Sequence, residues 1–142
     1  MRYHFKVTKE EDSRYSAECL ELEGCRTEAD SLEELHENMR EALDLYIDEP
    51  STQSYLAPLP NPAFAEADGV TTVRLDPKLA FALLLKHCRR KRKLTQEAMR
   101  DLMNVGATYS YQRLEDRPNA SIEMIDKVKS IYPDFPLEEV FS

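Results

Sequence analysis

The chain has 142 residues, 42% hydrophobic and 32% charged, with 3 Gly and 8 Pro, which excludes collagen-like, low-complexity and disordered classes. No run approaches the ~20 apolar residues of a membrane-spanning helix, and Met1 to Glu10 hold no apolar block with a cleavage site, so a cytoplasmic protein with no membrane partner is expected. The net charge of -8 is uneven: residues 1–76 carry 7 Lys and Arg against 18 Asp and Glu, whereas residues 78–117 carry 10 basic and 4 acidic side chains. A basic segment suits phosphate, and an acidic one repels nucleic acid while attracting basic partners.

Tyr3, Phe5 and Val7 alternate with His4, Lys6 and Thr8, and Tyr15, Ala17 and Cys19 repeat that period of two, predicting a hairpin of two half-buried strands. Gly24 marks a turn into a third short strand at Cys25, Arg26 and Thr27. Ser31 followed by Glu34 is a capping-box start for a helix with Leu32, Leu35, Met39, Leu43, Tyr46 and Ile47 on one stripe. Glu33, Glu34, Glu37, Glu41, Asp44 and Asp48 face outward, and Pro50 stops the helix. Residues 50–69, with four prolines, are expected to be an extended connection, and Val70 to Leu75 a fourth strand. This order predicts a two-layer α+β domain over 1–76.

Asp76 and Pro77 restart helix as N-cap and first helical residue. Leu79, Leu83 and Leu84 line the inner face of this helix, which ends in the basic run Arg89 to Lys93. Thr95 caps a second helix bearing Met99, Leu102 and Met103, and Asn104 to Gly106 break it. A third helix from Ala107 to about Glu115 turns Ala107, Tyr111 and Leu114 inward, leaving Tyr109 exposed, and a fourth runs from Ser121 to about Ile131. Residues 77–142 therefore form an all-helical domain.

The stretch from LTQEAMRDLM through TYSYQRLED to SIEMIDKVKSIYPDFPLEEVF resembles an Xre-type helix-turn-helix domain. The resemblance implies that Thr108, Tyr109, Gln112 and Arg113 read bases in operator double-stranded DNA, while Lys93, Gln96, Arg92 and Arg117 hold phosphates. Two departures stand out: the spacing from Gln96 to Leu114 is one residue longer than usual, with the extra residue placed in the Asn104 to Gly106 turn, and Arg100 replaces a small residue. Residues 3–48, with Gly24-Cys25 and the Ala42, Leu43 and Tyr46 pattern, and the following PLPNPA resemble HicB antitoxins, departing at Ala29 and at Glu21 to Glu23. That resemblance implies a partial ribonuclease-H-like fold and a HicA-type ribonuclease toxin as partner. Glu33, Glu37, Glu41 and Asp44 are the candidate toxin-binding residues, and the chain is expected to be a homo-oligomer, dimeric or larger.

Alternative readings follow from the same residues. The acidic helix face alone reads as solvated surface, and the run Arg89 to Lys93 as cations favoured at a helix C-terminus, although five consecutive positive charges repel one another and are better explained by a phosphate partner. The odd set Cys19, Cys25 and Cys88 reads as free thiols, and Cys25 as a small apolar filler. His4 and His36 read as surface or boundary residues, and the scattered histidines leave no expected metal or cofactor. A two-metal nuclease would need carboxylates converging from strands, whereas here they cluster in loops and on the outer helix face, so no enzyme is expected. A stand-alone Xre-type repressor with a ligand-sensing N-terminal domain is the alternative to an antitoxin.

Overall fold

Alternation builds the first layer. The computed structural model describes residues 1–49, 55–116 and 118–142, so Pro50 and Arg117 lie outside the described residues. Among them, β1 (Arg2–Lys9), β2 (Tyr15–Cys19), β3 (Arg26–Ala29) and β4 (Val70–Arg74) form an antiparallel sheet in the order β3-β2-β1-β4. Phe5 pairs with Cys19 and Thr71, Val7 with Ala17, and Tyr3 with Val73, so one face carries the buried Tyr3, Phe5, Ala17, Cys19, Ala29 and Val73. Gly24, at φ +85°, supplies the left-handed residue in the turn between β2 and β3.

Helix α1 (Leu32–Asp48) covers that face. The Ser31 hydroxyl accepts the Glu34 amide at 3.2 Å, and Leu35, Met39 and Leu43 are buried at spacings of four. Leu32, expected on the stripe, is instead 57% exposed. It lies in the first turn of α1, ahead of Leu35, the first residue of the stripe to be buried. Within the connection expected to be extended, Pro62–Glu66 form a short 3-10 helix, started by the Asn61 side chain accepting the Ala63 amide. Proline is no obstacle there, because its missing N–H falls in the first turn. The architecture is α+β, and contacts divide the chain into two compact units, Met1–Asp76 with Ser142, and Pro77–Phe141.

The second unit holds α2 (Pro77–Lys91), α3 (Gln96–Met103), α4 (Thr108–Gln112), a 3-10 turn at Arg113–Glu115, α5 (Ile122–Ile131) and α6 (Leu137–Phe141). All seven residues from Leu79 to Leu85 are buried, as an uninterrupted apolar run requires. Thr95 and Ser121 cap α3 and α5 through their hydroxyls. Lys93 (φ 56°) and Asn104 (φ 55°) take the left-handed positions after α2 and α3. The Leu94 amide reaches the Arg89 carbonyl and the Lys93 amide that of Arg90; Val105 and Asn104 repeat the pattern on Arg100 and Asp101. Asn104, not Gly106, is thus the residue that turns the chain. The helix expected from Ala107 to Glu115 is a short α4 continued by the 3-10 turn, and Ala107, at its N-cap, is exposed rather than inward. Tyr132 donates its hydroxyl to Met99 Sδ at 3.0 Å, and Phe81 packs on Phe135 with ring centroids 5.4 Å apart.

Candidate nucleic-acid and protein interfaces

Four polar side chains connect α2, α3, α4 and the 3-10 turn. Arg89 donates to Glu115 through Nε at 2.6 Å and Nη2 at 2.9 Å, and its Nη1 donates to the Leu94 carbonyl at 2.9 Å. Gln96 Nε2 donates to Glu115 at 3.3 Å, and Gln112 Nε2 donates to Gln96 Oε1 at 3.1 Å. The Glu115 side chain is 2% exposed and that of Arg89 12%. The carboxylate holds the guanidinium above its ordinary range, and burial pushes the Tyr111 phenol up, with the Glu115 charge adding to it. Arg89 therefore leaves the set of basic residues available to phosphate.

This chain sorts the candidate DNA contacts. Tyr109 is 67% exposed and Arg113 is exposed. Thr108 and Gln112, expected to face outward, are half-buried: Gln112 is held by Gln96, and Thr108 accepts Arg100 Nη1 at 3.3 Å. Arg100 also forks Asp101 through Nε and Nη2, so the residue that departs from the small one usual at its position bridges α3 to the start of α4. Lys93 is exposed, whereas Gln96 is half-buried. Arg92, although exposed, donates to the Ile131 carbonyl at 2.7 Å, meets Asp134 at 3.5 Å and lies 4.3 Å above the Tyr132 ring. Arg117 is outside the described residues.

On α1, Glu33, Glu37 and Glu41 are exposed, but Asp44 is half-buried and accepts the Asp76 amide at 3.0 Å. Asp44 is thus committed to the end of β4 rather than presented outward with the glutamates. No basic residue occupies the last turn of α1.

Two further carboxylates, Glu115 and Glu21, organise these units and lie outside the candidates named from the sequence. Glu115 lies four residues after Tyr111 and one after Leu114, a core position by helical period, and that spacing is the signal that identifies it. Glu21 accepts the His4 amide at 3.0 Å, the His4 Nδ1 at 2.7 Å and the Asn61 amide at 3.0 Å. His4 is therefore buried, with the Phe64 ring at 6.4 Å, although it lies on the sheet face opposite α1. Among the described residues no three His, Cys, Asp or Glu side chains are grouped to hold a metal ion, and no helix is long and apolar enough to cross a membrane.

No family model matches the chain. Over 48 residues, 34% of its length, it is 40% identical to a UPF0150 protein of Archaeoglobus fulgidus, of which that match covers 70%.

Proposed function

Because the chain belongs to the UPF0150 family, a family commonly associated with HicB-like antitoxins, we propose that it is an antitoxin that binds and occludes a HicA-type ribonuclease and represses its own operon. Family membership carries the reading, and the separation of charge supports it. The first unit combines a net charge of -11 over residues 1–76 with Glu33, Glu37 and Glu41 exposed along α1, the polarity that steers a basic ribonuclease onto its surface. Inhibition then requires only that the bound unit cover the RNA path.

In the second unit, α3, the Asn104 turn and α4 act as an Xre-type helix-turn-helix. Arg113 and Tyr109 meet base edges, and Lys93 meets phosphate. Gln96 and Gln112 set the spacing of α3 and α4. A dimer would place two such units on half-sites about one helical turn apart. The test is separation of function: a chain truncated after Asp76 is expected to inhibit the toxin encoded beside it in an RNA-cleavage assay without shifting operator DNA. A folded truncated chain that leaves cleavage unaffected overturns the antitoxin assignment for this unit.

A further inference from the structure

The turn between β2 and β3 brings two thiols opposite each other. The ladder pairs Ala17 with Thr27 and Glu18 with Arg26, so the next pair in register is Cys19 with Cys25. The Cys19 amide donates to the Cys25 carbonyl at 2.8 Å, continuing the ladder to that pair. Cys19 shares the α1-covered face with Ala17, and alternation puts Cys25 on it too. Directly opposed residues of an antiparallel pair have Cα atoms about 4.5–5.5 Å apart, inside the range of about 4.4–6.8 Å that a disulfide spans. Both cysteines are free and both are 3% exposed.

We infer that Cys19 and Cys25 form a redox modification site, a dithiol that closes to an intrachain disulfide by exchange with a small-molecule disulfide of the glutathione type. Cys25 is the attacking partner. It lines an open groove of about 540 Å³ with Gly24, Ala42, Leu45 and Tyr46, the route by which a reagent reaches it. Hydrogen bonding from the Cys19 thiol holds the Cys25 thiol below its ordinary range, and the same contact together with burial pushes Cys19 up. The Cys25 thiolate attacks one sulfur of the external disulfide, forming a mixed disulfide and expelling one thiolate. Cys19 sulfur then attacks the Cys25 sulfur, its proton passing to the second thiolate that leaves. Two protein thiols are oxidised to one disulfide and one external disulfide is reduced to two thiols. Closure pins the turn that carries Glu21, whose carboxylate lies 3.7 Å from the Cys19 sulfur.

The third cysteine, Cys88 in α2, is an internal control, because burial and the nearby Asp134 charge push its thiol up. The full reduced chain is equilibrated with oxidised and reduced glutathione, quenched and titrated for thiols, with the tryptic peptide Tyr15–Arg26 weighed. Titratable thiols are expected to fall from three per chain to one, with that peptide lighter by two hydrogens. The native ladder is expected to favour the bond about tenfold or more over the urea-denatured chain. In Cys19→Ser, Cys25 is expected to stop at the mixed disulfide with glutathione. A peptide that keeps both hydrogens while Cys88 is oxidised overturns the inference, as does a native equilibrium no more favourable than the denatured one. Both readouts come from the unmutated protein, so they decide the matter even if the serine variant fails to fold.

Discussion

Replacing Arg89 by Ala removes the guanidinium and leaves the Glu115 carboxylate, 2% exposed, with Gln96 Nε2 at 3.3 Å as its remaining described side-chain donor. Breaking one side of a buried ion pair costs about 3–5 kcal/mol, because the surviving charge stays desolvated. A domain of roughly 65 residues has roughly 3–10 kcal/mol of stability in total, so the loss is a large fraction of what holds the second unit together. With a urea slope near 1–1.5 kcal/mol per molar for so small a unit, the midpoint should fall by about 2–5 M. Glu115→Gln should cost less, about 1–3 kcal/mol, because the amide oxygen still accepts from Arg89, whose side chain is the more exposed of the two. Arg89→Met combined with Glu115→Leu removes both charges and should recover most of the loss. Urea titrations of the full chain followed by far-ultraviolet circular dichroism measure all three. If Arg89→Ala lies within about 0.5 kcal/mol of the double variant, the pair is not held as a desolvated charge and the reasoning fails.

Arg113→Ala should weaken operator binding by about 1–3 kcal/mol and relax base preference, whereas Lys93→Ala should weaken all sequences alike; mobility shifts across operator mutants at fixed salt separate the two. Lys93→Gly should raise stability by about 0.5 kcal/mol, since relief of left-handed strain of about 1 kcal/mol exceeds the roughly 0.5 kcal/mol of chain entropy that glycine adds to the unfolded state, and the same urea titrations read it. Arg92→Ala should cost about 1 kcal/mol of stability, through the Ile131 carbonyl bond and the Tyr132 stack, with little change in the salt slope of DNA binding. Burial raises Tyr3 and Tyr111, and hydrogen bonding to Tyr55 pushes Tyr46 up to about 12. Groups whose folded pKa is raised contribute stability that is intact below the unfolded value of about 10 and lost as pH rises beyond it. Unfolding should therefore set in above pH ~10, with ultraviolet titration showing Tyr3 and Tyr111 ionising only as the fold is lost.

Much of the backbone was legible because its signals are local. Alternation at Tyr3, Phe5 and Val7 named the buried sheet face, and Leu35, Met39 and Leu43 named the helix stripe. Ser31, Thr95 and Ser121 each cap the helix they were expected to start. What alternation cannot encode is cover supplied from elsewhere in the chain. His4 sits at a polar position of β1 and is buried because Glu21 and Phe64 close over it. The fates of the basic run and of the polar residues on α4 were hidden for the same reason. Arg89 finds Glu115 across 26 residues and Gln112 finds Gln96 across 16, and a periodic pattern specifies a face but not a pairing. Leu32 differs: its angle on the helix matches the stripe, but it is the first helical residue and burial begins only at Leu35.

Hydrogen-bond commitments rank the polar residues of α4 by what a ligand must displace. A bond between two neutral side chains contributes about 1 kcal/mol net, so a base that takes the Gln112 amide must first offset the bond to Gln96, and with it the alignment of Gln96 toward Glu115. Thr108 carries a similar debt to Arg100, whose fork on Asp101 orients it. The exposed Tyr109 needs no such burial undone, and it projects from the same short helix whose 3-10 continuation begins with the exposed Arg113. Discrimination between bases should therefore concentrate at Tyr109 and Arg113, with Thr108 and Gln112 acting through the geometry they impose. The ranking is sensitive to the core beneath it, because Gln96 is aimed by Glu115 and Glu115 by Arg89. Arg89→Met combined with Glu115→Leu, the variant expected to restore stability, should thus still blur operator preference: it frees Gln96 and Gln112 to turn outward and compete with the base contact proposed for Arg113.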